Sequence, residues 1–159
     1  YTTLFRSKRS RINEIMAAAD EMIRHYGFVL PPFAYWTPDE FKANAARAGR
    51  IIDSRMGWDI TDFGAEKFDT MGLFLFTLRN GQLADLQRGG GMCYAEKLLI
   101  SRQDQLSPMH THFLKAEDII NRGGATAREV VALLLERWEA VLQEPGPRRV
   151  AILGGRRLR

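Results

Sequence analysis

The chain has 159 residues, 45% hydrophobic and 26% charged, which suits one domain, or part of a larger one, of a globular protein. Its formal net charge of +4 sits at the two ends: residues 8–126 balance 15 basic against 15 acidic side chains, Arg6 adds one, and residues 127–159 hold seven Arg against four Glu. A neutral middle gives no support for nucleic-acid binding, no apolar run reaches the ~18–20 residues of a membrane helix, and the single Cys93 forms no internal disulfide, so a reducing cytoplasm is the expected setting.

The first seven residues, YTTLFRS, show neither helical nor strand period. Read back into codons they fit TAC ACG ACG CTC TTC CGA TCT, the end of a common sequencing adapter, so residues 1–7 are expected to be an artefact and are set aside. Ile12, Ile15, Met16, Ala19, Met22 and Ile23 then recur at helical spacing, which predicts an amphipathic helix ending near Gly27. Pro31 and Pro32 forbid its continuation and favour an extended segment carrying Phe33, Tyr35 and Trp36. Thr37-Pro38-Asp39-Glu40 is a helix start, with Thr as cap, Pro at the first helical position and Glu able to reach back to the cap amide. That second helix is expected to run through Ala-rich sequence towards Met56, with Gly57 as its stop.

The pattern then changes. GLFLFTLRNG, residues 72–81, predicts a short apolar strand closed by an Asn-Gly turn. YAEKLLISR, residues 94–102, predicts a second strand with Leu98 and Ile100 on one face. Helices followed by strands point to an α+β or mainly β domain with a helical preface. Past Thr126, AREVVALLLERWEAVLQE has the spacing of a helix, and an Arg-rich tail follows.

The chemistry is concentrated in LSPMHTHFLKAEDIINRGG, residues 106–124. Two residues apart on a strand, His110 and His112 would leave the same face, and Glu117 follows five residues on. Two imidazoles and one carboxylate suit Mn, Fe, Zn or Ni and leave coordination positions open. The bland alternative is a pair of turn histidines beside Asp118. His25, on the first helix, is expected to be an ordinary surface side chain.

The spacing HxH-x4-E-x6-G, ending at Gly124, resembles the first motif of the cupin superfamily. One position departs from it: cupins place a Gly six residues before the first His, where this chain has Asp104. The blocks LPPFAYWTP, GWDITDFG, GLFLFTLRNG, YAEKLLISRQDQLSPMHTH and KAEDIINRGG together look like the D-lyxose ketol-isomerase family over residues 9–126. That resemblance implies a partial cupin, mainly β with N-terminal helices. It also implies a metal-dependent, Mn-activated enzyme that interconverts aldose and ketose sugars, commonly as a homodimer. By the same resemblance His110, His112 and Glu117 match metal ligands, and Lys115 matches a substrate-contacting, catalytic lysine. Trp36 is a candidate wall of the sugar pocket.

These residue types suit the reaction. Isomerisation moves a proton between C1 and C2 while the carbonyl shifts the other way. A divalent ion on the sugar oxygens stabilises the enediolate charge, and a carboxylate base shuttles the proton. The resemblance places a further ligand His and that base in sequence following NRGG, and no His follows His112 here. Residues 127–159 are therefore expected to be foreign to the family, and residues 8–126 to form a helical preface and the first half of a cupin barrel. The expected behaviour of the chain as written is inactivity and aggregation through open strand edges. Two alternatives compete: a non-catalytic cupin-like module that binds sugar or metal, and a 2-His-1-carboxylate iron oxygenase.

Overall fold

The computed structural model describes residues 7–108, 118–123 and 151–152. The chain divides into two units, Tyr1–Pro108 and Met109–Arg159.

In the first unit, α1 (Arg9–His25) buries Ile15, Ala19 and Ile23, a stripe at four-residue spacing that faces the core. It stops through a left-handed cap: Gly27 has φ +72°, its N–H donates to the Arg24 carbonyl, and the Phe28 N–H donates to the Ile23 carbonyl. These two bonds satisfy the last free carbonyls of the helix, and Phe28 then packs into the same cluster as Ile23. The expected end near Gly27 is the one found.

The Pro-Pro segment differs from expectation. Pro31 is extended, but Pro32–Tyr35 forms one 3-10 turn, because a proline ring at the first helical position is already set for helical φ. The Thr37 cap is as expected: its hydroxyl accepts from the Glu40 N–H, and the Glu40 carboxylate accepts from the Thr37 N–H at 2.7 Å. The helix it starts does not run through to Met56. It breaks at Asn44 into α2 (Pro38–Ala43) and α3 (Ala45–Asp53). Both the backbone N–H and the side-chain amide of Asn44 donate to the Glu40 carbonyl, and this double capture ends the first piece. Nor is Gly57 the stop of α3. The left-handed position falls on Arg55, at φ +50°, with bonds from Arg55 to Ile52 and from Met56 to Ile51. Gly57, at φ +104°, instead begins a strand.

That strand, β1 (Gly57–Thr61), was not expected. It pairs antiparallel with β2 (Leu73–Asn80), which pairs antiparallel with β3 (Ala95–Ile100), giving the order β1-β2-β3. The register sets Trp58, Phe76 and Leu98 in one row and Ile60, Phe74 and Ile100 in the next. The pleat sends both rows to one face. Phe74 and Phe76 are 2% and 0% exposed; burying each contributes about 1.5–3 kcal/mol. Phe74 clusters with Ile15, Ala19 and Phe68, and Phe76 with Ile23 and Leu30. Helix α1 thus covers this face, and the helical preface leading into antiparallel strands agrees with part of a cupin.

Asn80-Gly81 does not make a two-residue hairpin. The chain continues through α4 (Leu83–Gln87) before returning to β3. In the second unit, β4 (Asp118–Ile119) pairs parallel with β5 (Ala151–Ile152), a strand in what the sequence presented as a tail. The helix expected between Ala127 and Glu144 lies outside the described residues. Among the described residues no helix is long and apolar enough to cross a membrane.

Candidate functional site

Strand β3 leads towards the His-x-His motif, and the segment just after it is firmly held. Residues 102–105 form a turn closed by the Gln105 N–H donating to the Arg102 carbonyl at 3.1 Å. Asp104 occupies its third position with φ +61°, backbone that favours glycine. This is the position where the cupin motif has its glycine. The backbone keeps the left-handed conformation, and Asp tolerates it better than most side chains.

Gln105 is only 8% exposed. Its Oε1 accepts from the Arg102 N–H at 3.0 Å, and its Nε2 donates to the Phe68 carbonyl at 2.5 Å. Leu106 continues the attachment: its N–H donates to Thr70 at 2.9 Å and its carbonyl accepts from Gly72 at 3.0 Å. Gly72 makes this approach feasible, since a Cβ there would stand 2.7 Å from the Phe68 carbonyl and 3.0 Å from the Gln105 amide. Outside this contact, Asp69 accepts from Arg102 at 3.3 Å and from Arg11 of α1. Sequence reasoning missed Gln105; a lone amide between Asp104 and Leu106 has no periodic signal, and only its partners reveal its role.

His110, His112, Lys115 and Glu117, the expected ligands and lysine, lie outside the described residues. Among the described residues no group of three or more His, Cys, Asp or Glu could hold a metal ion. His25 is exposed and stands edge-on to Tyr26.

Trp36 is half-buried, its ring edge-on to Phe41 of α2 with centroids 5.3 Å apart. Phe33 stacks on Phe76 at 5.6 Å. The Tyr35 hydroxyl donates to Asp20 at 2.7 Å, a bond that raises the Tyr35 pKa above the usual phenol value, while Arg24 lies over its ring. The three aromatics of the Pro-Pro segment are therefore tied to α2, the sheet and α1 respectively.

The face of the sheet away from the Phe74 and Phe76 rows carries Asp59, Leu75 and Leu99 in one cross-strand row, and Thr77 beside Lys97 in another. Leu99 is 58% exposed. Between Thr77 and Arg79 the β2–β3 register shifts, so that Arg79 faces Glu96 and pairs with it at 3.4 Å. Arg79 also donates to the Tyr94 hydroxyl. The pair borders an open groove lined by Phe28, Val29, Leu30 and Phe33.

Comparison with known proteins gives a consistent answer. The description of the D-lyxose isomerase family matches residues 7–152. A D-lyxose/D-mannose isomerase of Escherichia coli O157:H7 is 40% identical over 134 residues, covering 84% of this chain and 56% of the relative. A second protein of that name, from Serratia proteamaculans, is 40% identical over 118 residues, covering 74% of this chain and 51% of the relative. The chain spans about half the length of these curated relatives.

Proposed function

The chain belongs to the D-lyxose isomerase family, and from that premise we propose that it carries part of a metal-dependent aldose–ketose isomerase acting on an open-chain sugar of the D-lyxose type. The observation that supports this reading is the extent of the family match. It runs over residues 7–152 and so takes in His110, His112, Lys115 and Glu117.

The donor chemistry of those residues fits a divalent cation: two neutral imidazoles and one carboxylate leave the ion a net positive charge, and Mn2+ accepts such a set. When bound, the ion polarises the sugar carbonyl and its neighbouring hydroxyl. His110, His112 and Glu117 would hold it. Lys115 brings an ammonium that donates to a sugar oxygen as negative charge develops there. Trp36 offers an apolar ring of the kind that a sugar's C–H face packs against. The family resemblance places the proton-shuttling carboxylate and a further ligand His in sequence following NRGG, and no His follows His112 here. We therefore read the 159 residues as competent to bind the cation and incompetent in turnover. The whole protein is read as a cytoplasmic homodimer.

The test uses two proteins. The 159-residue chain, supplied with Mn2+ and D-lyxose, is expected to bind the ion and form no D-xylulose. A chimera joining residues 8–126 to the C-terminal portion of the Escherichia coli relative is expected to convert lyxose to xylulose, and His112→Ala in it to abolish conversion. Turnover by the chain alone overturns the incompetence. A folded, Mn-loaded chimera without turnover overturns the isomerase reading, and oxygen uptake with Fe(II) and a 2-oxo acid would favour an oxygenase instead.

A further inference from the structure

We infer that Asn80-Gly81 is a latent deamidation site, which the fold suppresses and whose reaction would cut the tie between β2 and the end of α3. The chain's four asparagines precede Glu14, Ala45, Gly81 and Arg122, so Asn80 alone has a glycine after it. In the reaction the Gly81 nitrogen attacks the Asn80 side-chain carbonyl carbon. The new C–N bond closes a succinimide ring, and the amide nitrogen leaves as ammonia with the Gly81 proton. Water then opens the ring at either carbonyl, giving Asp or isoaspartate. Glycine hinders the attack least, because it lacks a Cβ.

The groups that react are held in the folded unit. The Gly81 N–H, which carries the nucleophilic nitrogen, donates to the Tyr94 carbonyl at 3.0 Å. The leaving group is engaged too, since Asn80 Nδ2 donates to the Ser54 carbonyl at 2.8 Å. Gln82 Nε2 reinforces that contact by donating to Ser54 Oγ at 3.1 Å. The backbone is a third restraint. Asn80 ends β2 opposite Ala95, and extended backbone turns its Cβ away from the Gly81 nitrogen, with which ring closure must align it. Neither residue is free to change. Gly81 has no room for a Cβ against the Met92 carbonyl, and Asn80 supplies an amide donor that Asp lacks. The reaction therefore waits on local opening of the neck. Once formed, the product carboxylate has no N–H for the Ser54 carbonyl. Isoaspartate also adds a methylene to the backbone, so the neck does not close again as before.

The experiment follows the 159-residue chain at mildly alkaline pH, folded in buffer and unfolded in guanidinium, by peptide mass spectrometry that resolves isoaspartate. Circular dichroism establishes the state of each sample. In guanidinium Asn80 is expected to deamidate ahead of Asn13 and Asn44. In the folded protein its rate is expected to fall by about tenfold or more, the fraction of time the neck stands open. Gln82→Ala removes one bond to Ser54 and should speed the folded-state reaction by about threefold or more, as one lost hydrogen bond would. Equal Asn80 rates in the folded and unfolded chain, or a folded-state rate that Gln82→Ala leaves unmoved, overturns the inference. Asn80→Asp copies the product and is expected to lower the melting temperature; a melting temperature equal to the parent's overturns the loss of the tie. Should that variant not fold, the rates in the unaltered chain and in Gln82→Ala still decide.

Discussion

The indole N–H of Trp58 donates to the carbonyl oxygen of Ala34, 2.8 Å away. The bond ties β1 to the 3-10 turn, while the indole ring lies 5.0 Å from Phe74 and 4.8 Å from Phe76. Trp58→Phe retains an aromatic ring but leaves the Ala34 carbonyl without this donor. It is expected to destabilise the first unit by about 1–3 kcal/mol, read as a lower urea midpoint at unchanged slope. An unchanged midpoint would show that the bond carries no net weight.

Phe76 lies at the centre of the sheet, between Trp58 and Leu98, with Phe33 stacked on it. Phe76→Ala opens a cavity in three-way contact and is expected to cost about 3–5 kcal/mol. That is a large share of the stability of a small domain. The near-ultraviolet dichroism of the packed aromatics should vanish, and its persistence with full intensity would contradict the assigned core.

Arg55 and Asp104, two of the four described non-glycine residues with left-handed backbone, hold φ +50° and +61°. Glycine relieves the left-handed strain at some entropic cost in the unfolded chain. Arg55→Gly and Asp104→Gly are each expected to stabilise by about 0.5–1 kcal/mol. They should act additively, since they lie in separate turns and share no hydrogen-bond partner among the described residues. Thermal melts of the two single variants and the double variant check this, and a fall in melting temperature for either would refute its left-handed assignment.

The Glu40 carboxylate is held below its ordinary pKa, chiefly by the Thr37 backbone N–H and then by the Thr37 hydroxyl. A folded pKa lower than the unfolded one means that the contribution is complete above the ordinary carboxylate value. It is lost as pH falls through the depressed value. Helix content in α2 should therefore decline on acidification, and Glu40→Gln should flatten that part of the profile. Equal acid profiles for the two proteins would remove the capping box from the account.

If His110, His112 and Glu117 hold a cation, Mn2+ should raise the melting temperature of the chain. At a hundredfold excess over the dissociation constant the stabilisation is about 2.7 kcal/mol, and His112→Ala should abolish it. A shift that survives the substitution places the ion elsewhere.

What could be read from the sequence was local. The Thr37-to-Glu40 box depends on four adjacent residues and appears as written. The stripe of Ile15, Ala19 and Ile23 depends on one helix and does too. The break at Asn44 is equally short in range, but an asparagine competes with helix propensity, and the sequence does not say which will win. The left-handed cap at Arg55 was hidden because glycine is the usual signal there, and Gly57 two residues later drew attention to itself. Strand β1 has only Trp58 and Ile60 to show alternation, too few to declare a strand until β2 supplies its partner. The candidate ligands His110, His112 and Glu117 were read from their spacing together with the family resemblance, and they lie outside the described residues. The anchoring of residues 102–106 was not legible, because Gln105 finds its partner 37 residues back in the chain.

The link between β2 and β3 is closed at its neck. The Gly81 N–H donates to the Tyr94 carbonyl at 3.0 Å, and a Cβ on Gly81 would fall 1.9 Å from the Met92 carbonyl. The sheet is thus complete before residues 82–93 begin, and what hangs beyond the neck is free to change length. Doubling a flexible loop costs only about 0.6 kcal/mol in closure entropy. Foreign peptide spliced in around exposed Gly89 and Gly90 should leave the three strands in register, which makes this loop the natural place to attach a reporter or an affinity handle.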